Sequence, residues 1–405
     1  MRILVISNEL PAPVHRPGSP RPYYFCEEMA KNHELFLGLF CDDREQIQWL
    51  SDDPAYRRIF RGVETFPLPS GKVKWWNRQK HRLSFCPYFI TRHHHPEYHT
   101  RMIANLERLV REKNIDLVYF NAMQMTQYAP VSSGIPIISD VCDCLSLLFR
   151  RMAYTEKNRK QKVQYFLESL SMKIYERALA KTFSLLILIS KVDEEAIHAV
   201  APHANTLVVP NGVDTAYYGP PYNSPVKNKI VFTGVMSYDP NNDAALYFAE
   251  KIFPLVQQKI PDAEFWAVGK EPSEKVRALK PRDGFHVTGT VADIREHLGN
   301  ARVFVSPLRV GAGMKNKILS AMAMERPIVA TSLSLDGIDL VANEDVLVGD
   351  TPEEFADQVI RVLKDENLST RLGVKGRALV TARYSWESAF KILRPALAQL
   401  ESRKS

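Results

Sequence analysis

Short apolar runs recur along this chain, and longer stretches with helical periodicity separate them. Most of the runs show no period-two alternation, which is typical of parallel strands covered on both faces. Parallel strands are joined by right-handed helical crossovers, so the pattern predicts βαβ units. The predicted strands are Arg2–Ser7, Glu34–Phe40, Ile115–Asn121, Ile135–Asp140, Leu185–Ser190, Thr206–Pro210, Lys229–Gly234, Ala263–Gly269, Phe285–Gly289, Ala301–Pro307, Pro327–Thr331 and Val346–Gly349.

The strand–helix pattern starts a second time near Lys229. Just before it, residues 219–225 are rich in proline, which excludes a helix and is typical of a linker. We therefore predict two doubly wound α/β domains, residues 1–222 and 223–385, that face each other across a cleft. Residues 386–405 are expected to form a last helix that packs back on the first domain.

The excess positive charge belongs to the first half of the chain. Residues 1–210 hold 28 Lys and Arg against 22 Asp and Glu, whereas residues 211–405 hold 25 against 24. A basic face suits phosphate-bearing substrates, an anionic membrane or nucleic acid. No nucleic-acid-binding motif accompanies the charge, so we expect no nucleic-acid partner.

Several features predict a cytoplasmic protein. No apolar run approaches the roughly 20 residues of a membrane-spanning helix, and Met1–Ser7 is typical of a first strand, not of a signal peptide. The five cysteines are scattered, which favours reduced thiols.

Four histidines, His93–His95 and His99, lie close together, but neighbouring histidines in a loop rarely point at one centre. We expect no bound metal.

Two basic segments predict peripheral contact with the inner face of the plasma membrane. Residues 72–82 combine Lys and Arg with Trp75 and Trp76 and contain no acidic residue, and residues 150–162 add a second basic cluster. Tryptophan with Lys and Arg suits the headgroup layer of a bilayer. The alternative is a solvated loop with one buried tryptophan.

A glycine-rich turn at residues 306–323 predicts an anion site. A strand ends there, the Gly-x-Gly turn 311–313 follows, and a helix begins, so backbone N–H groups and the positive helix end converge. Arg309, Lys315 and Lys317 add full positive charges. A leaving diphosphate suits such a site, because its negative charge grows as a glycosidic bond breaks. A plain glycine-rich turn with solvated lysines is the alternative.

The same stretch resembles family 4 of the retaining glycosyltransferases, whose members have the GT-B fold of two facing Rossmann-like domains. The resemblance is strongest to the branch of sugar transferases in exopolysaccharide systems. It extends over nearly all of the second half and over the first half only in outline. The segments that carry it are Val209–Asp214, Gly234 with Pro240–Asp243, Ala267–Gly269, Val287–Asp293, Ser306–Ala323, Pro327–Thr331 and Tyr384–Trp386.

The resemblance implies an enzyme that moves a sugar, with retention, from a nucleotide-sugar donor to a glycan or lipid-linked acceptor in envelope polysaccharide synthesis. It implies no cofactor beyond the donor substrate. The implied nucleotide-binding residues lie in the loop that holds the base, in the diphosphate turn with the helix that follows it, and at the floor of the cleft. They are Asn211, Gly289, Thr290, Gly311, Gly313, Lys315, Lys317 and Ser320. The implied catalytic residues are Asp140, Arg309 and Lys317.

Asp140 follows a predicted strand end, where relatives contact the sugar or the acceptor. It is a candidate to accept a hydrogen bond from a donor hydroxyl or to assist removal of the acceptor proton. The alternative is a helix N-cap, a position that Asp favours.

Two departures from the family pattern motivate other functions. The two positions that hold glutamate in the family hold Ala312 and Ser320 here. The serine hydroxyl is a single hydrogen-bonding group, and it binds the donor ribose more weakly than a carboxylate. The loop Gly234–Asp243 also lacks the Arg and Lys that many relatives carry there. A degenerate, non-catalytic GT-B protein that acts as a binding or scaffold subunit is therefore the second hypothesis. Nucleotide-sugar epimerisation or hydrolysis is the third.

Overall fold

The computed structural model describes residues 1–70, 72–78, 90–156, 158–219, 225–279, 283–311 and 313–402. The chain forms two compact units, one of residues 1–210 with 390–405 and one of residues 211–389. The sequence-based domain boundary at residue 222 lies outside the described residues. Among the described residues, none of the helices combines the length and apolar character needed to cross a bilayer.

The first unit is built on a seven-stranded sheet with the order β3-β2-β1-β4-β5-β6-β7, in which every neighbouring pair is parallel. Its central strands are almost wholly buried because their side chains are apolar on both faces. The strands are β1 Arg2–Ser7, β2 Glu34–Phe40, β3 Phe60–Phe66, β4 Leu117–Asn121, β5 Ile137–Cys142, β6 Leu185–Leu188 and β7 Thr206–Val208.

Strand β3 is the one strand that the sequence pattern missed. It lies at the edge of the sheet, and buried and exposed side chains alternate along it. An edge strand with polar residues on one face lacks the continuous apolar run that marks the central strands.

Helices connect the strands of the first unit. The α-helices that the structure describes here are Pro20–Met29, Arg44–Asp52, Pro54–Ile59, Ile90–His94, Pro96–Glu112, Leu145–Thr155, Arg159–Thr182 and Lys191–Val200. Helix Trp386–Ser402 contributes its part from residue 390 onward to this unit.

The second unit is built on a six-stranded, wholly parallel sheet with the order β10-β9-β8-β11-β12-β13. Phenylalanines at 248, 253, 265, 285 and 355 form much of its core. The strands are β8 Lys229–Thr233, β9 Glu264–Val268, β10 Phe285–Val287, β11 Val303–Ser306, β12 Ile328–Ala330 and β13 Leu347–Val348. Its helices are Asp239–Tyr247, Phe253–Lys259, Glu274–Arg277, Ile294–Gly299, Asn316–Ala323, Pro352–Lys364 and Glu366–Arg383.

Both sheets confirm the predicted fold class of Rossmann-like, doubly wound parallel domains. In each sheet the strand order reverses beside the first strand, between β1 and β4 and between β8 and β11. Ligands in such folds bind outside the carboxyl ends of the strands at this reversal. The loops after β8 and β11 are therefore where a site in the second unit is expected.

Candidate nucleotide site

A cavity of about 410 Å³ opens in the second unit at the expected reversal of strand order. Loops after β8, β9 and β10 form one side of it, and the first turns of helix Asn316–Ala323 form the other. Its lining residues are Tyr218, Thr233, Gly234, Val235, Gly269, Lys270, Thr290, Val291, Ile294, Leu298, Asn316, Lys317 and Ser320. Among the described residues, the lining contains lysines and hydroxyls and no carboxylate.

Two glycines let the loops of this cavity approach each other closely. A Cβ atom on Gly269, whose φ is +144°, would lie 1.9 Å from the carbonyl oxygen of Gly234. A Cβ atom on Gly234 would lie 2.7 Å from the side-chain nitrogen of Asn241. The loops after β8 and β9 therefore need glycine at both positions.

Lys317 is the predicted diphosphate-binding lysine that lines the cavity, and its side chain is partly buried. Its Nζ donates a hydrogen bond to Asn241 Oδ1 and lies 4.4 Å from the centre of the Phe232 ring. Burial, assisted by the charge of Lys315, lowers the pKa of Lys317 to about 7. A desolvated lysine without a carboxylate beside it is a strong attractor for an anion, because a bound anion restores its charged form.

The glycine-rich turn lies next to this lysine but outside the cavity lining. Gly311 and Gly313 have φ of +130° and +72°, the left-handed region that glycine adopts readily. Lys315 Nζ donates to the carbonyl oxygen of Gly313, so the side chain folds back over the turn. Lys315 and Lys317 therefore bring two positive charges to the start of helix Asn316–Ala323, where backbone N–H groups are unpaired within the helix.

Ser320 lines the cavity, one turn after Lys317. Its hydroxyl donates to the carbonyl oxygen of Asn316 at 3.1 Å and lies near the hydroxyl of Tyr218. Burial raises the pKa of Tyr218, so this phenol stays protonated at neutral pH. Arg377 holds the Tyr218 carbonyl oxygen at 3.2 Å. Sequence reasoning missed Tyr218, although it follows closely on the Asn211–Asp214 motif.

One of the two predicted base-binding residues lines the cavity, and the other pairs with a residue that does. Thr290 lines it, and Gly289, with a φ of +72°, forms a backbone bridge with Gly269. Asn211 is half-buried at the start of the second unit and does not line the cavity.

Arg309 is not brought to the cavity. Its guanidinium forms a two-armed ion pair with Asp243, with distances of 2.6 Å and 3.1 Å, and lies 4.1 Å from the centre of the Tyr247 ring. The hydrogen bonds to Asp243 raise the pKa of Arg309. The sequence shows that residue 309 is positively charged, but it does not show that Asp243, 66 positions away, pairs with it.

Asp140 lies within β5, two residues before the strand ends and not after its end as predicted, and its side chain is fully buried in the first unit. Arg21 donates to both of its oxygens, at 2.7 Å and 3.0 Å, and the Tyr119 hydroxyl donates at 2.7 Å. Arg21 also bonds the carbonyl oxygens of Val209 and Pro210. Asp140 is therefore an internal ion-pair residue in this structure. It is not the N-cap of the next helix, a position that Cys144 occupies.

Known proteins share both the fold and part of the sequence. Residues 227–365, which contain most of the cavity, match the family model "Glycosyl transferases group 1". An uncharacterized 44.6 kDa protein in the cps region of Klebsiella pneumoniae is 22% identical over 253 residues, and the match covers 60% of this chain and 63% of that relative. The chain thus spans less than two thirds of the relative's length.

Solved structures match over nearly the whole chain. Sucrose-phosphate synthase from Thermosynechococcus elongatus has a TM-score of 0.68 at 16% identity, with 99% of each chain covered. Anabaena Alr3699/HepE, solved in complex with UDP and glucose, has a TM-score of 0.66 at 14% identity, covering 98% of this chain and 100% of the other. The family model thus matches a segment of the second unit, and the solved structures share the fold of two Rossmann-like, parallel-sheet units.

Proposed function

We propose that the protein moves a sugar from a nucleoside-diphosphate donor, with retention, to a glycan or lipid-linked acceptor of cell-envelope polysaccharide synthesis. The observation that carries the proposal is Lys317, a partly buried lysine of lowered pKa in a cavity at the reversal of the sheet whose described lining holds no carboxylate. HepE, solved with UDP and glucose, supports the donor class. The cps-region relative supports an envelope polysaccharide. Retention follows from the family-4 resemblance.

The chemistry suits a leaving diphosphate. As the bond between the sugar carbon and the donor phosphate breaks, negative charge collects on the phosphate oxygens, while the acceptor oxygen bonds to the same carbon and its proton passes to the leaving phosphate. Lys317, Lys315 and the N–H groups at the start of helix Asn316–Ala323 are fixed donors for that charge. Donors already oriented toward developing charge stabilise a transition state more than a ground state.

The direct test uses the purified full chain with a panel of UDP-, GDP-, ADP-, TDP- and CMP-linked sugars. Nucleotide release is measured with and without a lipid and glycan extract of bacterial envelope. Release that requires the extract, with the sugar found on an extract component, supports transfer, and NMR of the anomeric proton reports retention. Free sugar without extract would indicate hydrolysis, and an altered free nucleotide-sugar would indicate epimerisation. Either of the last two results contradicts the proposed function.

The pH dependence of donor binding is a consequence of the lowered pKa of Lys317. In the free protein this lysine is mostly neutral above pH 7, and a bound diphosphate raises its pKa toward the ordinary value. Binding therefore takes up a proton above pH 7, and donor affinity should fall as the pH rises, by roughly up to tenfold per unit between pH 7 and 9. Calorimetry in buffers of different ionisation enthalpy measures the uptake. A nucleotide-sugar serves as ligand, because its diphosphate does not titrate near neutral pH. An unchanged affinity from pH 6.5 to 9 would contradict this role of Lys317.

A substitution at Ser320 tests the enzyme hypothesis against the hypothesis of a degenerate binding protein. A glutamate there would offer donor hydroxyls a charged acceptor, so Ser320→Glu should tighten binding of the preferred nucleotide by about tenfold, as expected for a hydrogen bond to a charged group. The 2′,3′-dideoxy nucleotide is the control ligand, and its affinity should not rise. If no nucleotide binds either the parent or the variant, the scaffold hypothesis gains and the donor proposal fails.

We further propose that the protein contacts an anionic membrane surface through residues 72–82 and 150–162. Within the described part of the first segment, Trp75 and Trp76 are 60% and 71% exposed, and their ring centres are 4.5 Å apart. Tyr154 in the second segment is 86% exposed. Exposed aromatic rings beside Lys and Arg suit the headgroup layer. Residues 79–82 lie outside the described residues.

A further inference from the structure

Helix Arg159–Thr182 of the first unit carries apolar side chains on two opposite faces. One face is buried in the core through Met172, Tyr175 and Leu179, and Ser169 bonds the carbonyl oxygen of Ser146 at 2.8 Å. The other face is open to solvent. Its side chains Val163, Phe166, Leu170 and Ile174 are 57%, 53%, 41% and 72% exposed.

These four exposed residues form one continuous stripe, here called the outer stripe. They follow each other at intervals of three, four and four residues, so they lie on one side of the helix. From Val163 to Ile174 the stripe is about 16 Å long at 1.5 Å per residue. Large apolar side chains that are exposed singly need no explanation, but an ordered row of four along a helix marks a contact surface.

The charged residues that this helix places on the side of the outer stripe are all positive. At about 100° per residue, Arg159, Lys162, Lys173 and Lys181 fall on the same side of the helix as the stripe. The two acidic residues of the helix lie elsewhere. Glu176 is fully buried, where it accepts a hydrogen bond from the Ser146 amide at 3.0 Å, and Glu168 falls on the opposite side of the helix from the stripe.

We infer that the outer stripe inserts into the headgroup–acyl boundary of an anionic bilayer, with the helix lying along the membrane surface. The inference rests on the membrane contact in the proposed function and assigns the inserting residues, which lie outside the two basic segments named there. An apolar stripe rimmed by lysine and arginine is the arrangement that binds negatively charged leaflets.

Charge decides between a bilayer and a second copy of the chain. Two copies that paired through this stripe would bring the same basic residues together, and like charges across an interface oppose association. An anionic leaflet turns the same residues into attractive contacts. Tyr154 and Arg150 are exposed on the preceding helix, Leu145–Thr155, which packs against this one, and they add a ring and a further positive charge.

The test is co-sedimentation of the full chain with phosphatidylcholine vesicles and with vesicles that contain phosphatidylglycerol. The parent protein should bind the anionic vesicles, and added salt should weaken the binding. Phe166→Gln with Ile174→Gln should lower the partition coefficient at least about tenfold. The matched control, Val341→Gln with Val374→Gln, changes two residues of the second unit that are 53% exposed each and should bind like the parent.

Three outcomes would overturn the inference. The parent protein does not bind anionic vesicles, or the stripe variant binds them as the parent does. In the third, light scattering finds a dimeric parent that the stripe variant converts to a monomer, and a second copy then covers the stripe. Thermal stabilisation by nucleoside diphosphates reports the second-unit cavity alone, so it separates a failure of this inference from a failure of the donor proposal.

Discussion

Replacement of Lys317 by methionine should lower kcat/KM for sugar transfer by about 10²- to 10³-fold, the usual loss when one fixed donor to developing charge is removed. Methionine keeps much of the lysine's length and apolar stem, so the substitution removes mainly the positive charge. The lysine is desolvated and has no carboxylate beside it in the cavity, so its charge is available to the ligand.

The same substitution should leave the free energy of unfolding unchanged or slightly higher. A buried ammonium is costly to desolvate, and an apolar side chain in its place removes that cost. Activity and stability are therefore expected to move in different directions. Lys251→Met on the same unit is the control and should retain parental activity. A Lys317→Met enzyme within threefold of the parent would show that the diphosphate is held elsewhere.

Asp140→Ala should lower the free energy of unfolding by about 3–5 kcal/mol, because it leaves the buried guanidinium of Arg21 without its partner. The loss comes from the first unit, where Arg21 also bonds the carbonyl oxygens of Val209 and Pro210. Chemical denaturation followed by circular dichroism measures it. The nucleotide binding that we propose for the second unit should persist in the variant.

Two comparisons make the Asp140 prediction specific. Asp243→Ala breaks the ion pair between Asp243 and Arg309, whose two side chains are 32% and 50% exposed. It should lower the free energy of unfolding by about 0–1 kcal/mol. Arg21→Met with Asp140→Leu removes both charges and should be more stable than Asp140→Ala, since no unpaired charge remains buried. A loss of transfer in Asp140→Ala with parental stability would instead return Asp140 to the role of a sugar or acceptor contact.

The sequence predicted the architecture well because the information was local. Continuous apolar runs marked twelve of the thirteen strands that the structure describes, and β1 and β2 begin and end at the predicted residues. The edge strand β3 escaped because its outward face is polar. The glycine-rich turn and the helix after it could also be predicted, because glycine positions and helix-start patterns depend on neighbouring residues in the chain.

The site was less predictable because its side chains are paired over long distances in sequence. Arg21 and Asp140 are 119 residues apart, and Lys317 and Asn241 are 76 apart. No pattern among neighbouring residues indicates that Lys317 lines a cavity, whereas Arg309, eight positions earlier, pairs with Asp243 near the surface. The same holds for Tyr218, whose hydroxyl reaches Ser320 only in the folded unit.

The central claim is that the second-unit cavity binds a nucleoside diphosphate through Lys317. Thermal unfolding of the parent and of Lys317→Met with UDP, GDP, ADP and TDP, and with CMP as the monophosphate control, tests it most directly. We predict that one diphosphate stabilises the parent by about 2.7 kcal/mol at 100 times its Kd and has little effect on the variant at the same concentration. No stabilisation of the parent by any of the four diphosphates, or equal stabilisation of parent and variant, would contradict the claim.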